Sequence, residues 1–140
     1  MKRRLWVVAI LVGVVASSAI AAASAREPLP APHDGVIRIR IEHSRFEPVR
    51  IQVEPGSTVR FDIVNTDPID HEFILGDTWV QDVHELGTEA HHPPRPGEMS
   101  VPAATTRTTT YTLTNPGTLI FGCHLPGHYA FGMRGLVTVA

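Results

Sequence analysis

Cysteine is nearly absent from this sequence. Cys123 is the only one among 140 residues, so the chain cannot form an internal disulfide. A surplus of charge is lacking too, because 12 basic and 14 acidic side chains leave a formal net charge of −2. This balance does not indicate a strongly basic patch of the kind that binds nucleic acid, and we expect no nucleic-acid partner. The length supports one domain and excludes most multidomain enzymes.

The first 25 residues have the pattern of an export signal. Positive residues 2–4 precede an apolar run at 5–16, and the small residues 23–25 offer a cleavage site. An uncleaved membrane anchor is the alternative, since residues 5–23 approach the length of a bilayer span. We expect cleavage and a mature protein in the periplasm or outside the cell, with no membrane span. The remaining 115 residues carry 9 basic and 14 acidic side chains, a net charge of −5.

The mature chain has the pattern of short strands separated by turns. Residues 26–35 form a Pro-rich lead-in, and residues 36–140 form the single domain. Alternating apolar and polar residues, or runs of β-branched residues, predict strands at 36–43, 49–53, 58–64, 71–75, 105–114, 118–123 and 134–139. Seven or eight short strands without long helices predict an all-β protein, an antiparallel β-sandwich.

One short helix and one irregular insertion interrupt the predicted strands. Apolar residues recur at helical spacing at Trp79, Val80, Val83 and Leu86. We expect Thr78 to cap this helix and Gly87 to end it. The proline-rich stretch 87–104 is predicted to be irregular.

Three side chains with metal-binding chemistry share one loop near the C-terminus. Cys123, His128 and Met133 are spaced as C-x4-H-x4-M between two predicted strands. A copper electron-transfer site requires one thiolate and two imidazoles in a plane, with a weak thioether on the axis. His71 is the best candidate for the second imidazole, because it begins a strand directly after a turn. The pattern predicts one bound copper ion.

With this loop the chain resembles the cupredoxins, the small blue copper proteins that include plastocyanin, azurin and rusticyanin. The resemblance covers about residues 36–140, because further motifs occur in the family's order: Phe46-x-Pro48, Glu54-Pro55-Gly56, Asn65-x-Asp67, His71-Glu72-Phe73 and Asn115-Pro116-Gly117. It implies an eight-stranded Greek-key sandwich with one type 1 copper near one end, and it assigns the ligand positions to His71, Cys123, His128 and Met133. The loop looks closest to bacterial periplasmic cupredoxins, some of them linked to copper tolerance.

One position departs from the family pattern. In many cupredoxins an Asn or Ser follows the first ligand histidine and donates a hydrogen bond to the copper-bound sulfur. Here that residue is Glu72. The ligand set is unaffected, but the surroundings that tune the reduction potential are in question.

Other interpretations of the loop stay open. One alternative is that Cys123 is an inert buried residue. Another is that it is a zinc ligand, although structural zinc sites usually contain more thiolates. His124 follows Cys123 as in multicopper oxidases, where such a histidine binds a second copper centre. Those enzymes also need His-x-His pairs, and no two of the eight histidines here are separated by one residue. We therefore expect His124 to be a solvent-facing loop residue.

A second group of histidines lies in and before the irregular stretch. A solvated loop is the simpler interpretation. A weak second copper site is the alternative, with neutral imidazoles from His84, His91 and His92 and a further ligand from Glu89 or Met99.

These features predict an exported, monomeric type 1 copper protein that carries single electrons and is not an enzyme. A redox partner would dock near His128 on an apolar rim formed by Leu125, Pro126, Tyr129, Ala130 and Phe131, unless these residues only pack the end of the sandwich. The alternative function is periplasmic copper binding for tolerance or delivery.

Overall fold

A computed structural model describes residues 35–87 and 95–140, with the backbone of residues 29–30. The predicted signal segment and most of the lead-in lie outside these ranges. The described part contains ten strands and one helix, in the order β1 (Leu29–Pro30), β2 (Val36–Glu42), β3 (Arg45–Glu47), β4 (Arg50–Val53), β5 (Ser57–Asn65), β6 (His71–Gly76), α1 (Thr78–Leu86), β7 (Glu98–Val101), β8 (Thr106–Leu113), β9 (Gly117–Gly122) and β10 (Arg134–Val139).

The strands form a two-sheet sandwich, which confirms the predicted fold class. One sheet has the strand order β1-β4-β10-β9-β6-β7, and the other has the order β3-β2-β5-β8. The sheets are mixed rather than purely antiparallel, since β2 pairs with β5, β4 with β10 and β1 with β4 in parallel. Between β2 and β5 the chain crosses to the other sheet to form β4. It returns running in its original direction, which makes the pairing parallel.

The inner faces of the two sheets bury a core that includes a group of phenylalanines. The ring centroids of Phe46 and Phe121 are 5.3 Å apart, and those of Phe73 and Phe121 are 5.6 Å apart. Such pairs contribute about 0.5–1.5 kcal/mol each beyond the burial of their surface. His71 and Cys123 each lie two positions from one of these phenylalanines. Because side chains alternate along an extended chain, both point towards the inner side of the sandwich.

Helix α1 is confirmed, but its details differ from the prediction. The N-cap is Asp77 rather than Thr78, because the Asp77 carboxylate accepts a 3.0 Å hydrogen bond from the backbone N–H of Val80. Gly87 ends the helix, as predicted. Of the apolar residues that suggested the helix, Trp79, Val83 and Leu86 are exposed, whereas Val80 is half-buried against Gly76, and the fully buried residue of the helix is Gln81. In the described ranges no helix is long and apolar enough to cross a membrane.

The prediction that residues 87–104 are irregular is partly wrong, because this stretch contains strand β7. This strand pairs with β6 from His71↔Val101 to Ile74↔Glu98, and it buries Met99 and Val101. Four prolines within ten residues concealed the short alternating segment from sequence reasoning. Strands β1 and β3, of two and three residues, are equally too short to show a period.

Candidate metal centre

Three of the predicted ligand side chains converge at one end of the sandwich. His71 begins β6, Cys123 follows β9, and His128 lies in the loop before β10. The Cys123 Sγ is 3.2 Å from Nδ1 of His128 and 3.9 Å from Nδ1 of His71. One donor atom from each residue lies within 4.8 Å of the others, and no second group of this kind occurs among the described residues. The three residues therefore offer two imidazole nitrogens and one sulfur to a single ion.

Backbone hydrogen bonds fold the loop between Cys123 and Met133 back on itself. The N–H of Cys123 donates to the carbonyl of Met133 at 3.2 Å, and the N–H of Met133 donates to the carbonyl of His128 at 3.0 Å. Gly127 and Gly132 have positive φ angles of 83° and 91°, a backbone conformation that is unfavourable for residues with a side chain. Met133 is buried in the same hydrophobic cluster as Cys123. The loop thus returns Met133, buried in the core, to the neighbourhood of Cys123 and His128.

Asp67 holds the ring of His71 in place. The Asp67 Oδ2 lies 3.0 Å from Nε2 of His71, so a hydrogen on Nε2 leaves the lone pair of Nδ1 directed towards Cys123. The same carboxylate accepts 2.7 Å hydrogen bonds from the backbone N–H groups of His43 and Ser44. Burial acts to raise the pKa of Asp67, but these donors and His71 hold it below its ordinary value.

The thiol of Cys123 is buried and protonated in the absence of a metal. Burial raises its pKa to about 11, and the charge of Glu72 acts in the same direction. Backbone N–H groups of Leu125 and Glu72 oppose this rise by donating to the sulfur. A cation bound beside the sulfur would replace the proton, because only the thiolate is a good ligand.

The pKa of His128 is shifted in the opposite direction to that of Cys123. Burial, with a further contribution from the nearby His71, lowers the pKa of His128, while Asp67 opposes the change. The ring centroids of the two histidines are 5.0 Å apart, so two positive charges there would repel each other. The neutral imidazole, which is the form that binds metal, is favoured.

Glu72 provides the hydrogen bond that the family pattern led us to question. Its backbone N–H, rather than its side chain, donates to the Cys123 Sγ at 3.3 Å. The carboxylate is buried and turned towards the next residue of the loop, where its Oε2 accepts from the backbone N–H of His124 at 3.2 Å. The carboxyl group of Glu72 is thus buried near the sulfur, and the sulfur keeps its backbone donor.

The prediction that His124 faces solvent is wrong. Its side chain is only 2% exposed and lies beneath helix α1. Nδ1 is 2.9 Å from a carboxylate oxygen of Glu85, and Nε2 is 2.8 Å from the amide oxygen of Gln81. The ring also stacks on Tyr129 with a centroid distance of 4.6 Å. Side-chain alternation explains this placement, since a residue next to the inward Cys123 must point to the other face.

Sequence reasoning missed Gln81, which joins α1 to the loop. Its amide nitrogen donates to the carbonyls of Ile74 and Ile120 at 3.2 and 3.0 Å, so its oxygen is left to accept from His124. The signal was present as two polar residues, Gln81 and His84, on one side of a helix that also carries exposed apolar residues.

The predicted second site is described only in part, because His91, His92 and Glu89 lie outside the described residues. His84 uses Nδ1 to bond the carbonyl of Val80 at 2.8 Å, and its Nε2 is 3.6 Å from a carboxylate oxygen of Glu98. Met99 lies in the hydrophobic core.

The residues flanking His128 differ in exposure. Phe131 is 82% exposed, and Pro126 and Ala130 are exposed with it. Leu125 and Tyr129 are half-buried, as is His128 itself. An apolar surface therefore surrounds the edge of the one predicted ligand that reaches solvent.

We expect Asp67→Asn to lower the free energy of unfolding by about 1–3 kcal/mol. An amide has one acceptor oxygen, so it cannot serve the N–H groups of His43 and Ser44 together. Urea unfolding of the metal-free protein measures the change, and metal affinity should fall with it because His71 loses its anchor. Asp70→Asn is the matched control, since Asp70 accepts one bond, from Ala103, that an amide oxygen can keep. Equal stability of the two variants would contradict this role.

Comparison with known proteins agrees with this geometry. Residues 34–140 match the family described as copper binding proteins of the plastocyanin/azurin type. The solved structure of dithionite-reduced auracyanin from Roseiflexus castenholzii is similar with a TM-score of 0.65 and 26% identity, covering 79% of this chain and 98% of that one.

Two curated relatives carry the name copper-resistant cuproprotein CopI. That of Rubrivivax gelatinosus is 37% identical over 100 residues, which are 68% of this chain and 59% of that protein. That of Pseudomonas aeruginosa is 28% identical over 127 residues, covering 67% of this chain and 70% of the relative. The chain thus spans less than two thirds of the Rubrivivax protein. The family match covers most of the sequence and includes every predicted ligand, and the chain belongs to the plastocyanin/azurin family of copper-binding proteins.

Proposed function

We propose that this chain is an exported type 1 copper protein that carries single electrons. His71, Cys123 and His128 would be the equatorial ligands, and Met133 the axial one. The observation that carries the proposal is the placement of the Cys123 Sγ at 3.2 and 3.9 Å from two imidazole nitrogens. Nitrogen and sulfur atoms held about 2.0 and 2.3 Å from one ion at a trigonal angle lie about 3.7 Å apart, between these two distances.

The donor set suits an ion that changes charge by one unit. Bound copper would supply the exchange between Cu(I) and Cu(II). The thiolate and thioether favour Cu(I), whereas the imidazoles of His71 and His128 accept Cu(II), so neither state is strongly preferred. A centre with this balance can both take up and release an electron.

Hydrogen bonds fix the donors before a metal arrives. Asp67 orients His71, the backbone N–H of Glu72 holds the sulfur, and the bond from Met133 N–H to the His128 carbonyl ties the end of the loop to its middle. Donors held in one geometry move little when the charge of the ion changes. A small rearrangement favours fast electron transfer.

Several features support a carrier rather than an enzyme. The described residues contain one group of three metal-donor side chains, whereas an oxidase of this kind needs a second copper centre. His124, which would lead to that centre, is instead engaged by Glu85 and Gln81.

We propose that the redox partner docks on the exposed surface around His128 and Phe131. We also propose a periplasmic location and a monomer, as the sequence predicts.

The main test is colour. Cys123→Ser should abolish the intense visible absorption and the narrow copper hyperfine splitting that a Cu(II)–thiolate bond produces. The fold should be retained, since serine differs from cysteine by one atom, and circular dichroism checks this. Met133→Leu is the companion variant: it should keep the colour, because the thioether is only a weak axial contact. A copper-loaded wild-type protein that stays colourless with oxidant would refute the type 1 site.

We expect Glu72→Gln to raise the reduction potential by tens of millivolts. A buried carboxylate beside the sulfur favours the more positive Cu(II) state, and the amide removes that charge while keeping an acceptor for the His124 N–H. Redox titration followed at the blue band measures the shift. Glu54→Gln provides a control with the same change of charge at the turn before β5, away from the site. A potential that falls or stays constant in Glu72→Gln would remove this carboxylate from the tuning environment.

Copper tolerance is the second candidate function, favoured by the name of the two curated relatives. The position of His84 beside Glu98 suggests a weak additional copper site. In that case copper titration should give two equivalents for wild type and one for His84→Ala, with the blue absorption unchanged in both. A single equivalent in both proteins would leave the electron carrier as the better assignment.

A further inference from the structure

An open groove runs along the outer face of the larger sheet, next to the proposed copper loop. It has a volume of about 480 Å³. Its walls include apolar and cationic side chains: Val49, Arg50, Ile120, Tyr129, Arg134 and Leu136. Val49 and Leu136 are exposed, so the apolar part of the groove is open to a large partner.

Three arginines without carboxylate partners surround this groove. Arg50 and Arg134 line it, and Arg45 reaches its edge, where the guanidinium donates to the carbonyl of Phe131 at 2.9 Å. The guanidinium of Arg134 lies 5.2 Å from the ring centroid of Tyr129. Within the described ranges none of the three forms an ion pair.

The other described arginines are either paired or on the other sheet. Ion pairs neutralise three of them, in the pairs Arg40–Glu42, Arg60–Asp62 and Arg95–Glu98, whereas Arg38 and Arg107 lie on strands of the smaller sheet and form no ion pair within the described residues. The chain after residue 25 has a net charge of −5. What distinguishes Arg45, Arg50 and Arg134 is that they gather at one groove, where they form a local positive patch on a chain of negative net charge. Such a patch favours a negatively charged partner.

The groove is joined to the proposed metal centre by a short path. Tyr129 lines the groove and stacks on His124, which follows Cys123 in the chain. One ring contact and one peptide link thus connect the surface to the sulfur ligand. A partner in the groove would be placed for electron exchange by a route that does not use the exposed edge of His128.

We propose that this groove is a second docking surface, separate from the apolar surface around His128, and that it binds an acidic segment of a redox partner protein. The proposal rests on the proposed electron-carrier function. Carboxylates of the partner would pair with Arg45, Arg50 and Arg134, and its apolar side chains would pack on Val49 and Leu136. Arginine and tyrosine are enriched where protein interfaces gain most of their energy. One electron would leave the copper centre and reduce the partner's one-electron acceptor, with no bond made or broken.

The first test is binding of an octaglutamate peptide to the copper-loaded, reduced protein, followed by NMR. Shifts should concentrate at Tyr129, Arg134 and Leu136, and they should weaken at high salt. The double variant Arg50→Gln, Arg134→Gln should bind the peptide about tenfold more weakly. The control Arg38→Gln, Arg107→Gln has the same change of net charge on the other sheet and should bind like wild type. Equal losses in both double variants would overturn a localised site.

The second test compares small redox probes of opposite charge. Oxidation of the reduced protein by anionic hexacyanoferrate(III) should slow several-fold in the groove variant, whereas oxidation by the cationic tris-phenanthroline cobalt(III) should not. The blue absorption band of the oxidised protein reports the copper site separately. Absence of this band from the oxidised, copper-loaded wild type would count against the proposed function. A normal band, with equal oxidation rates in wild type and the groove variant, would count against the docking surface alone. Arginine-dependent binding to phosphatidylglycerol vesicles, without peptide binding, would replace the protein partner by a membrane.

Discussion

The metal centre depends on the antiparallel pairing of β6 with β9. This pairing sets Ile74 opposite Gly122, and the two strands then deliver His71 and Cys123 to the same end of the sandwich. It also places the backbone N–H of Glu72 3.3 Å from the sulfur. A slip of one residue in β9 would turn Cys123 to the outer face and break this contact. The buried phenylalanines on the same faces oppose such a slip, since they would be exposed by it.

The alternation that directs Cys123 inward directs His124 outward, and the fold uses both directions. Outward, His124 meets a polar pocket formed by Gln81, Glu85 and Tyr129. Burial of so polar a ring costs free energy unless it is hydrogen-bonded, and both nitrogens have partners. Helix α1 is therefore held to the sheet largely by polar contacts, with Val80 packed on Gly76, while Trp79, Val83 and Leu86 are exposed. The same contacts hold the start of the copper loop against movement.

Sequence reasoning predicted what depends on local patterns. Strand period, turn residues and the spacing of Cys123, His128 and Met133 gave the sandwich and the family. Contacts across the fold had no local signature. Asp67, for example, accepts hydrogen bonds from the backbone of His43 and Ser44, more than twenty residues earlier in the chain. The burial of His124 depends on a helix that starts 46 residues before it, so a histidine in a polar loop gave no sign of its partners.

Both candidate functions make demands on the same geometry, and these demands differ. An electron carrier needs donors that keep their positions, whereas a delivery protein must release its ion. The proposed donors come from β6 and a folded loop, and each is restrained by hydrogen bonds or burial. Release of the ion would return a proton to the Cys123 thiol, whose pKa is about 11, so the proton competes with the metal for the sulfur. Retention therefore depends on the restraints on the donors, because side chains already held in place lose little freedom when the metal binds. With these restraints, a role in copper tolerance at this site would be sequestration or electron transfer rather than delivery.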